Sequence, residues 1–495
     1  MYVRKTKTRN STCFQIGNKI NGKFILLKHI GCTSVVGQID LLQKKAKNEC
    51  EQFKIELQPP LFSPPISNLK ARLSNWRITG FHQVFGHIYD LIGFPSNMFR
   101  DLVIARIVYP KSKLATSRYF DQYLGVTFSE DKIYRFMDTL NKDELTRIAF
   151  NFVSKKNNGI ALIFYDVTTL YFESDNEDDL RKKGYSKDHK NDLPQIVIGL
   201  FVDKDGYPFG FDFYDGSIFE GHTFPKAIKA LTIKYKFKDL VVVADAGMLS
   251  EKNISFLETE KLNYIVGARL KGLSEKFKEQ IFDHNFTKEP TFEIACKTKL
   301  GTREARDKRL IIDFSEKRAK KDKFTREKLI KKLEVKIASK KELIKKSKYL
   351  IFKNQGKAVG IDQNKIELDK RHDGLKGYWT NLKEEIKPKE IIDQYHSLWQ
   401  VEKAFRMSKN DLQERPVFHR KIKRIGGHLL ICFCSLLIMK ETERILKPAG
   451  ISLKKAIEVL GKLGQGEMKL GKIKMPIESE LNPEAKSILD KILGH

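Results

Sequence analysis

The chain has 495 residues, which is too many for one ordinary domain and suggests about three. A hydrophobic content of 41% excludes a protein that is disordered throughout. Lysine and arginine total 92 against 62 acidic residues, which gives a formal net charge of +30. This charge favours a polyanionic partner, with nucleic acid as the first candidate and an acidic membrane surface as the second. The charge alone is also compatible with a protein from an organism whose proteins are generally rich in lysine.

The first two segments are predicted to precede the main domain. Residues 1–68 form a small mixed module in which a strand ends at Gly31 and a helix follows. Four prolines between residues 59 and 65 predict a linker. Residues 69–155 are predicted to be helical, with arginine and lysine between apolar positions, which suits a helix-turn-helix-like DNA-binding unit. A plain helical bundle has the same pattern and stays open as an alternative.

Residues 156–270 form the first part of the predicted core. Periodicity and turn residues give the order β-β-β-α-β-α-β, in which a meander of three strands is followed by strands reached through helical crossovers. A mixed sheet with flanking helices in this order is the layout of an RNase H-like core. The predicted fold class is therefore α/β.

The rest of the chain is predicted in three parts. Residues 271–385 are a β-rich insertion around a basic helical hairpin at 315–349, which either contacts DNA or is a solvated charged surface. Residues 386–447 complete the core with a helix that carries Glu402 and a buried apolar helix. Residues 448–495 are predicted to be a basic helical tail.

The cysteines and the apolar segments bear on the cellular compartment. The six cysteines are scattered along the chain and form no CxxC pair and no zinc-binding pattern. They are Cys13, Cys32, Cys50, Cys296, Cys432 and Cys434. Cys432 and Cys434 lie inside an apolar segment and are predicted to be buried thiols, which fits a reducing cytoplasm. The N-terminus lacks the apolar core of a signal peptide, and the longest apolar run, residues 429–439, is too short to span a bilayer. A cytoplasmic protein without a membrane partner is expected.

Two aspartates are the first candidates for chemistry. Asp166 ends the first predicted strand of the core and Asp245 ends the fourth. If these strands are parallel neighbours, both carboxylates reach one edge of the sheet, where their oxygens suit hard divalent cations. Two Mg²⁺ ions about 3.5–4 Å apart activate the nucleophile and stabilise the leaving oxygen of phosphoryl transfer. Asp166, on the central strand, is predicted to bridge both ions. Taken alone, each aspartate is more often a turn or cap residue.

Glu402 is the candidate third ligand, on a predicted helix. Tyr395 and Lys409 lie seven residues to either side, close to two helical turns, so all three are predicted to share one helix face. There Tyr395 and Lys409 would grip the phosphates beside the reacting bond, and Arg406 would join them or pair with Glu402. The spacing alone favours an ordinary amphipathic helix with an exposed Glu402–Arg406 pair.

Other polar residues have no assigned role. Asp188, His189 and His222 are left open, because a lone polar residue in a loop is usually structural. The acidic loop at 173–179 is predicted to be solvated, and Asp203, Asp205 and Asp215, which lie near glycines, are predicted to be turn residues. No glycine-rich phosphate loop occurs, so no ATP dependence is expected.

The chain resembles the DDE transposases of bacterial insertion sequences. The closest pattern is the branch with a β-rich insertion between the second Asp and the Glu and a Y-(2)-R-(3)-E-(6)-K signature. Tyr395, Glu402 and Lys409 match that signature, whereas Leu398 stands at the arginine position. The segments FYDVTTLYFE and VVVADAGMLSEKN resemble the motifs of the first and second Asp. The resemblance covers residues 70–440, most of the chain.

This resemblance implies a transposase in which Asp166, Asp245 and Glu402 are catalytic residues and metal ligands. It implies two Mg²⁺ ions, with Mn²⁺ able to substitute, and end cleavage and strand transfer without a covalent protein–DNA intermediate. It also implies double-stranded DNA partners (terminal inverted repeats and target DNA) and a homodimer that synapses two ends at the prokaryotic nucleoid. Two other classes stay open: a non-catalytic DNA-binding protein descended from such an enzyme, and a metal-dependent nuclease that cuts but never joins.

Overall fold

The structure is a computed structural model. It describes residues 1–8, 11–20, 22–57, 71–248, 250–296, 308–338, 348–352, 358–470 and 473–494. The chain divides into two compact units, Met1–Ser74 with Gly466–Ile477 and Asn75–Gln465 with Glu478–His495. The proline-rich linker predicted at 59–65 lies outside the described residues. The other domain boundaries predicted from the sequence stay predictions.

The smaller unit contains the predicted mixed module. Its elements are β1 (Tyr2–Lys7), β2 (Thr12–Ile20), β3 (Lys23–Thr33), α1 (Val36–Leu57) and the start of β4 (Ala71–Ile78). The first three strands form an antiparallel sheet in chain order, and α1 packs against all three. The strand and the helix that the sequence predicted in this module are both confirmed.

Two cysteines of this sheet are joined. Cys13 and Cys32 are register partners on β2 and β3 and form a disulfide, with their Cα atoms 4.0 Å apart. This bond was not predicted from the sequence. They are 19 positions apart in the sequence, and only the pairing of the two strands brings their sulfur atoms together. The four others, Cys50, Cys296, Cys432 and Cys434, are free.

The larger unit begins with five helices in the region predicted to be helical. They are α2 (Gly80–Ile92), α3 (Met98–Val108), α4 (Lys113–Tyr119), α5 (Glu130–Met137) and α6 (Lys142–Lys156). Side-chain caps begin α3 to α6, where Asn97, Ser112, Ser129 and Asn141 each accept a hydrogen bond from a backbone N–H in the first turn. The apolar faces of the five helices belong to the main hydrophobic core.

The core elements follow in the predicted order β-β-β-α-β-α-β. They are β5 (Leu162–Tyr171), β6 (Gln195–Asp203), β7 (Pro208–Asp215), α7 (Glu220–Lys234), β8 (Val241–Ala244), α8 (Glu251–Thr259) and β9 (Asn263–Ala268). β5 pairs antiparallel with β6 and parallel with β8, so the first and fourth strands are neighbours. β5 does not end at Asp166 as predicted but continues to Tyr171, because the residues after Asp166 are buried and keep their pairing with β6.

The next segment adds strands to the same sheet. Its elements are α9 (Glu275–Asp283), β10 (Thr291–Cys296), β11 (Lys308–Phe314), α10 (Glu316–Ala338), β12 (Leu350–Phe352), β13 (Ala358–Ile361), α11 (Gln363–Lys370) and β14 (Leu375–Thr380). The sheet has the order β10-β11-β14-β9-β8-β5-β6-β7, and β12 with β13 forms a separate pair. Three strands of the predicted β-rich insertion are thus part of the core sheet. α10 is the described part of the basic hairpin.

The last elements surround a long buried helix. They are α12 (Pro388–His396), α13 (Trp399–Arg406), α14 (Ile422–Leu446), α15 (Leu453–Leu460), β15 (Gly464–Leu470), β16 (Ile473–Glu478) and α16 (Pro483–Leu493). The helix that begins at Ile422 is long and apolar enough to cross a membrane, but 78% of its apolar window is buried inside the protein. This confirms the predicted buried helix. The prediction of an all-helical tail is wrong, because β15 and β16 pair in a sheet with β4, a partner distant in sequence.

The hairpin between β6 and β7 carries a buried acid with a pH-dependent effect on stability. Asp203 is 1% exposed, and its Oδ1 accepts hydrogen bonds from the backbone N–H groups of Asp205 and Tyr207 at 3.1 and 2.7 Å. Its Oδ2 accepts from the Asn157 side chain. Burial raises the pKa of Asp203 to about 6 despite these donors. The predicted turn role of Asp203 is confirmed.

We expect Asp203→Asn to stabilise the protein at pH 7.5 but not at pH 4. Because the folded-state pKa is raised, the ionised carboxylate costs stability as the pH rises from about 4 through 6, by up to about 3 kcal/mol. The amide keeps the acceptor for both backbone donors, and Asn157 can rotate its own amide to match. Thermal denaturation at the two pH values measures the difference. An equal effect of the substitution at both pH values would contradict this role of Asp203.

Candidate active site

Asp166 and Asp245 lie side by side where the pairing of β5 and β8 ends. Tyr165 and Ala244 are the last register partners of these parallel strands, and the next residue on each strand is one of the two aspartates. The predicted parallel arrangement of the two strands is therefore confirmed. Because β8 stops at Ala244 while β5 continues, both carboxylates emerge at the same edge of the sheet.

A tight turn after β8 fixes the Asp245 carboxylate. The backbone N–H groups of Gly247 and Met248 donate hydrogen bonds to Asp245 Oδ1, at 2.8 and 3.1 Å. A Cβ atom at Gly247 would lie 3.0 Å from the same oxygen, so this position suits glycine. Two donors on one oxygen set the orientation of the carboxylate before any ligand arrives.

The Asp166 carboxylate is buried and electrostatically loaded. Its side chain is 16% exposed, and Oδ1 accepts a hydrogen bond from the backbone N–H of Val167 at 2.8 Å. Burial raises the pKa of Asp166 to about 6, and the negative charges of Asp245 and Glu220 add to this rise. Lys187 opposes it. A buried carboxylate of this kind is stabilised by a nearby cation.

Lys187 supplies that cation, although it was not among the predicted site residues. Its Nζ lies 3.7 Å from Asp166 Oδ1 and 3.2 Å from Glu220 Oε1, and it donates a hydrogen bond to the carbonyl oxygen of Val167 at 2.6 Å. Burial lowers the pKa of Lys187, but the carboxylates of Asp166 and Glu220 outweigh this effect and hold the pKa above its usual value. The one sequence signal was its position directly before Asp188.

The segment from Tyr395 to Lys409 is not a single helix. Tyr395 lies in α12, Glu402 in α13, and Lys409 in a π-helical turn at Met407–Asp411. Between α12 and α13, the backbone N–H of Leu398 bonds to the carbonyl oxygen of Tyr395, a three-residue spacing. This tighter winding changes the rotation per residue. A spacing of seven therefore does not place the three side chains on one helix face, and that prediction is wrong.

Tyr395 is buried beside Asp245. Its ring packs edge-on against Tyr378, with 4.7 Å between ring centroids. A Cβ atom added at Gly267 on β9 would lie 2.5 Å from Tyr395 Oη and 3.0 Å from the backbone nitrogen of Ala246. The hydroxyl group thus lies against the turn that carries Asp245, in a space left by the missing side chain of Gly267.

The charges of all three predicted metal ligands affect the pKa of the Tyr395 hydroxyl group. Burial raises the pKa of Tyr395 well above its usual value, and the charges of Asp245, Glu402 and Asp166 raise it further. α13, which carries Glu402, packs against β5 and β6. Glu402 and Arg406 are both exposed, and no ion pair joins them within the described part of the chain.

A second lysine that was not predicted from the sequence lies beside the ring of Tyr395. Lys376 on β14 has its Nζ 4.5 Å from the centroid of the Tyr395 ring. Burial and the neighbouring Arg318 lower the pKa of Lys376, while the charges of Glu402 and Asp245 oppose this. Lys376 is therefore in electrostatic contact with two of the predicted ligands.

Lys409 pairs with a protein carboxylate. Its Nζ lies 3.2 Å from Asp188 Oδ2, and Arg415 pairs with the same carboxylate. Burial lowers the pKa of Lys409. Asp188 directly follows Lys187, so consecutive residues of one loop contact Asp166 and Lys409. The loop that the sequence left without a role links these two predicted site residues.

The chemistry of the site suits a hard divalent cation. Asp166 and Asp245 offer adjacent carboxylate oxygens, and the ammonium group of Lys187 shows that a positive charge is stabilised there. No group of three or more His, Cys, Asp or Glu side chains lies close enough to hold a metal ion, as far as the described residues go. The structure therefore offers the two aspartates as metal ligands. The charge of Glu402, like the charges of the two aspartates, raises the pKa of Tyr395.

The chain is similar to known proteins over a large part of its length. The chain is similar to the piggyBac transposase in its synaptic complex with hairpin DNA, at 13% identity over 77% of this chain and 76% of that one, with a TM-score of 0.37. It is also similar to the Mos1 transposase in its paired-end complex with the left transposon end, at 10% identity over 45% of this chain and 66% of that one, with a TM-score of 0.16. No curated protein matches it. The family model described as the transposase DDE domain matches residues 157–438, more than half of the chain and the part that carries Asp166, Asp245 and Glu402, so the protein belongs to that family.

Proposed function

We propose that the protein cleaves the ends of an insertion sequence and transfers the cut strands to target DNA. Asp166, Asp245 and Glu402 are the proposed catalytic residues and metal ligands, on an RNase H-like core. The observation that carries the proposal is the placement of the two aspartates at the same end of two adjacent parallel strands. The sheet order β9-β8-β5-β6-β7, in which the first core strand is central, supports the proposed fold class.

The residues of the site suggest how the reaction is supported. Two Mg²⁺ ions, with Mn²⁺ able to substitute, would supply an activated oxygen nucleophile and a stabilised leaving oxygen. The turn after β8 holds Asp245 in a fixed orientation. Tyr395 keeps its proton at neutral pH, as tyrosines ordinarily do, and its raised pKa extends this to alkaline pH, so its hydroxyl can donate a hydrogen bond to a phosphate oxygen. Lys376, beside the ring, adds positive charge.

The proposed partner is double-stranded DNA, both terminal inverted repeats and target, bound by a homodimer in the prokaryotic cytoplasm. The net charge of +30 supports a polyanionic partner. Tyr395, Arg406 and Lys409 are proposed to contact phosphates at the cleavage site, and helices α2 to α6 to contact the element ends. α10 carries a row of exposed lysines that suits the flanking duplex. They are Lys317, Lys320, Lys321, Lys323, Lys328, Lys331 and Lys332.

The reaction products test this proposal against its two alternatives. Purified protein is mixed with Mg²⁺, a target plasmid and a labelled duplex that carries the inverted repeats flanking its gene. A transposase produces cut ends and ends joined to the plasmid. Cut ends that are never joined would identify a nuclease, and a bound duplex that is never cut would identify a non-catalytic DNA-binding protein.

We expect Lys187→Met to strengthen the binding of divalent cations about tenfold, because its ammonium group competes with a metal ion for Asp166. Titration calorimetry with Mg²⁺ and with Mn²⁺, in the absence of DNA, measures this affinity directly. Lys190→Met is the matched control, since Lys190 is an exposed lysine of the same loop. If the two variants bind the cations equally well, Lys187 does not compete at this site.

A further inference from the structure

A small cavity outside the carboxylate site is lined by basic side chains from separate parts of the chain. Its volume is about 180 Å³, and it lies between the end of α3, the start of α4, the segment before α14 and α14 itself. Arg106, Lys113, His419 and His428 contribute their side chains to its wall. The mouth is polar and accessible, because Lys111 and Ser112 also line the cavity and are exposed.

Two of the cationic side chains in the cavity wall, Arg106 and Lys113, are buried and have no carboxylate partner among the described residues. Arg106 is 6% exposed, and its guanidinium donates hydrogen bonds to the carbonyl oxygens of Lys111 and Gln413, at 3.2 and 2.6 Å. Its Nε has no hydrogen-bond partner. Lys113 is 4% exposed, and within the described ranges its ammonium group makes no hydrogen bond or ion pair. A buried charge without a partner is costly, so such a side chain either loses its proton or binds an anion that compensates the charge.

The lowered pKa values of the neighbouring basic groups reflect their burial and the positive charge of Arg106. Burial lowers the pKa of Lys113 to about 7, and Arg106 lowers it further. Burial likewise lowers the pKa of His419 to about 3, with Lys113 and Arg106 adding to the shift. His428 donates from Nε2 to the carbonyl oxygen of Glu414 at 3.0 Å, and its Nδ1 has no partner.

Nearby carboxylates do not neutralise the cavity. The carboxylate of Glu414 is buried and accepts a hydrogen bond from the Ser408 hydroxyl, and among the described residues it forms no ion pair with Arg106 or Lys113. Asp188 is paired with Arg415 and Lys409. Arg415 is itself part of the cavity wall, so the positive charge at the cavity exceeds the negative charge around it.

We propose that this cavity binds a phosphate group. A guanidinium and an ammonium group on one wall, with two imidazoles beside them, match the oxygens of a phosphate better than the single charge point of a halide. The group can come from the DNA backbone or from free phosphate. Arg415 connects the cavity to Asp188, the neighbour of Lys187 in the carboxylate site, so a DNA phosphate would be one beside the reacting bond. The DNA source rests on the proposed function, whereas the free-phosphate source does not.

Lys113→Met tests the site in two arms. In the first arm, calorimetry measures inorganic phosphate binding to the whole chain, without metal or DNA, in chloride buffer of constant ionic strength. The variant is expected to bind at least about tenfold more weakly than the wild type. Lys423→Met, which removes an exposed lysine at the start of α14, is expected to bind like the wild type. In the second arm, the salt dependence of duplex binding is expected to lose about one unit of slope in Lys113→Met alone.

The results separate the two sources and can overturn the proposal. Loss in the first arm alone identifies free phosphate, and loss in the second arm alone identifies the DNA backbone. If the wild type and Lys113→Met behave alike in both arms, the cavity is not a phosphate site. At pH 6, below the Lys113 pKa of about 7, Lys113→Met should also melt at a higher temperature than the wild type in phosphate-free buffer, because an uncompensated buried charge is removed. Should that variant fail to fold, Lys113→Gln serves the same comparison. The first arm needs no DNA chemistry, so its outcome is independent of whether the protein is a transposase.

Discussion

Asp166→Asn, Asp245→Asn and Glu402→Gln are each expected to reduce DNA end cleavage by at least about 10²–10³-fold, the usual effect of removing one preorganised electrostatic contact to a transition state. Each substitution keeps the shape of the side chain and removes the charge that would hold a divalent cation. Cleavage of labelled element ends in Mg²⁺ measures the loss. Duplex binding is expected to persist, because the lysines and arginines that contact phosphates are unchanged.

Two controls make this result specific to the site. Asp175→Asn removes an exposed acid from the loop after β5 and is expected to cut like the wild type. Thermal denaturation confirms that each variant is folded. Glu402→Gln is the most informative variant, because Glu402 is exposed and only the two aspartates are adjacent in the structure. If this variant alone cuts normally, the third ligand is another acid, and Glu220 beside Lys187 is the first candidate.

Gly267→Ala is expected to disrupt the site without touching any predicted ligand. The new methyl group would lie 2.5 Å from Tyr395 Oη and 3.0 Å from the backbone nitrogen of Ala246, so either the tyrosine or the Asp245 turn must move. Overpacking of this kind costs about 1–3 kcal/mol of stability. A shift of about 1 Å in a catalytic group can reduce the rate by about 10²-fold. Denaturation and the cleavage assay measure the two effects.

The collision with the hydroxyl group can be tested separately. Tyr395→Phe removes the oxygen that Gly267→Ala would meet, so the double variant is expected to be more stable than the sum of the single effects predicts. Gly272→Ala is the matched control, because a Cβ atom there meets no atom within 4 Å. Strict additivity in the double variant would mean that Gly267 does not make room for Tyr395.

The order of the core elements was predictable because it depends on local pattern. Alternating apolar residues, the turn before Gly206 and the lengths of the crossover segments define strands and helices without knowledge of their partners. Asp166 and Asp245 were predictable for the same reason, since each follows a short run of apolar residues. The end of β5 was not, because pairing with β6 extends the strand beyond the residue at which its own pattern changes.

Whether Tyr395, Glu402 and Lys409 share one helix face could not be predicted from their spacing in the sequence. Seven residues correspond to two turns only if the helix is continuous, and the three-residue hydrogen bond at Leu398 interrupts it. Leu398 belongs to the main hydrophobic core, and such packing is not expressed in the local sequence. Lys187, Lys376 and Glu220 were missed for a related reason. Each acts on the predicted ligands through a contact between elements that are separate in sequence.

The sequence by itself determined the positive charge, the order of strands and helices in the core, and the acids that follow its apolar runs, since all of these are set by composition and local periodicity. Only the tertiary structure decided which groups face those acids. The pairing of β5 with β8 placed Asp166 beside Asp245, and the loop before β6 brought Lys187 to Asp166. The packing of α3 and α4 near α14 produced the basic cavity. Electrostatic interactions depend on distance in space and on burial, and both are fixed only when the chain has folded.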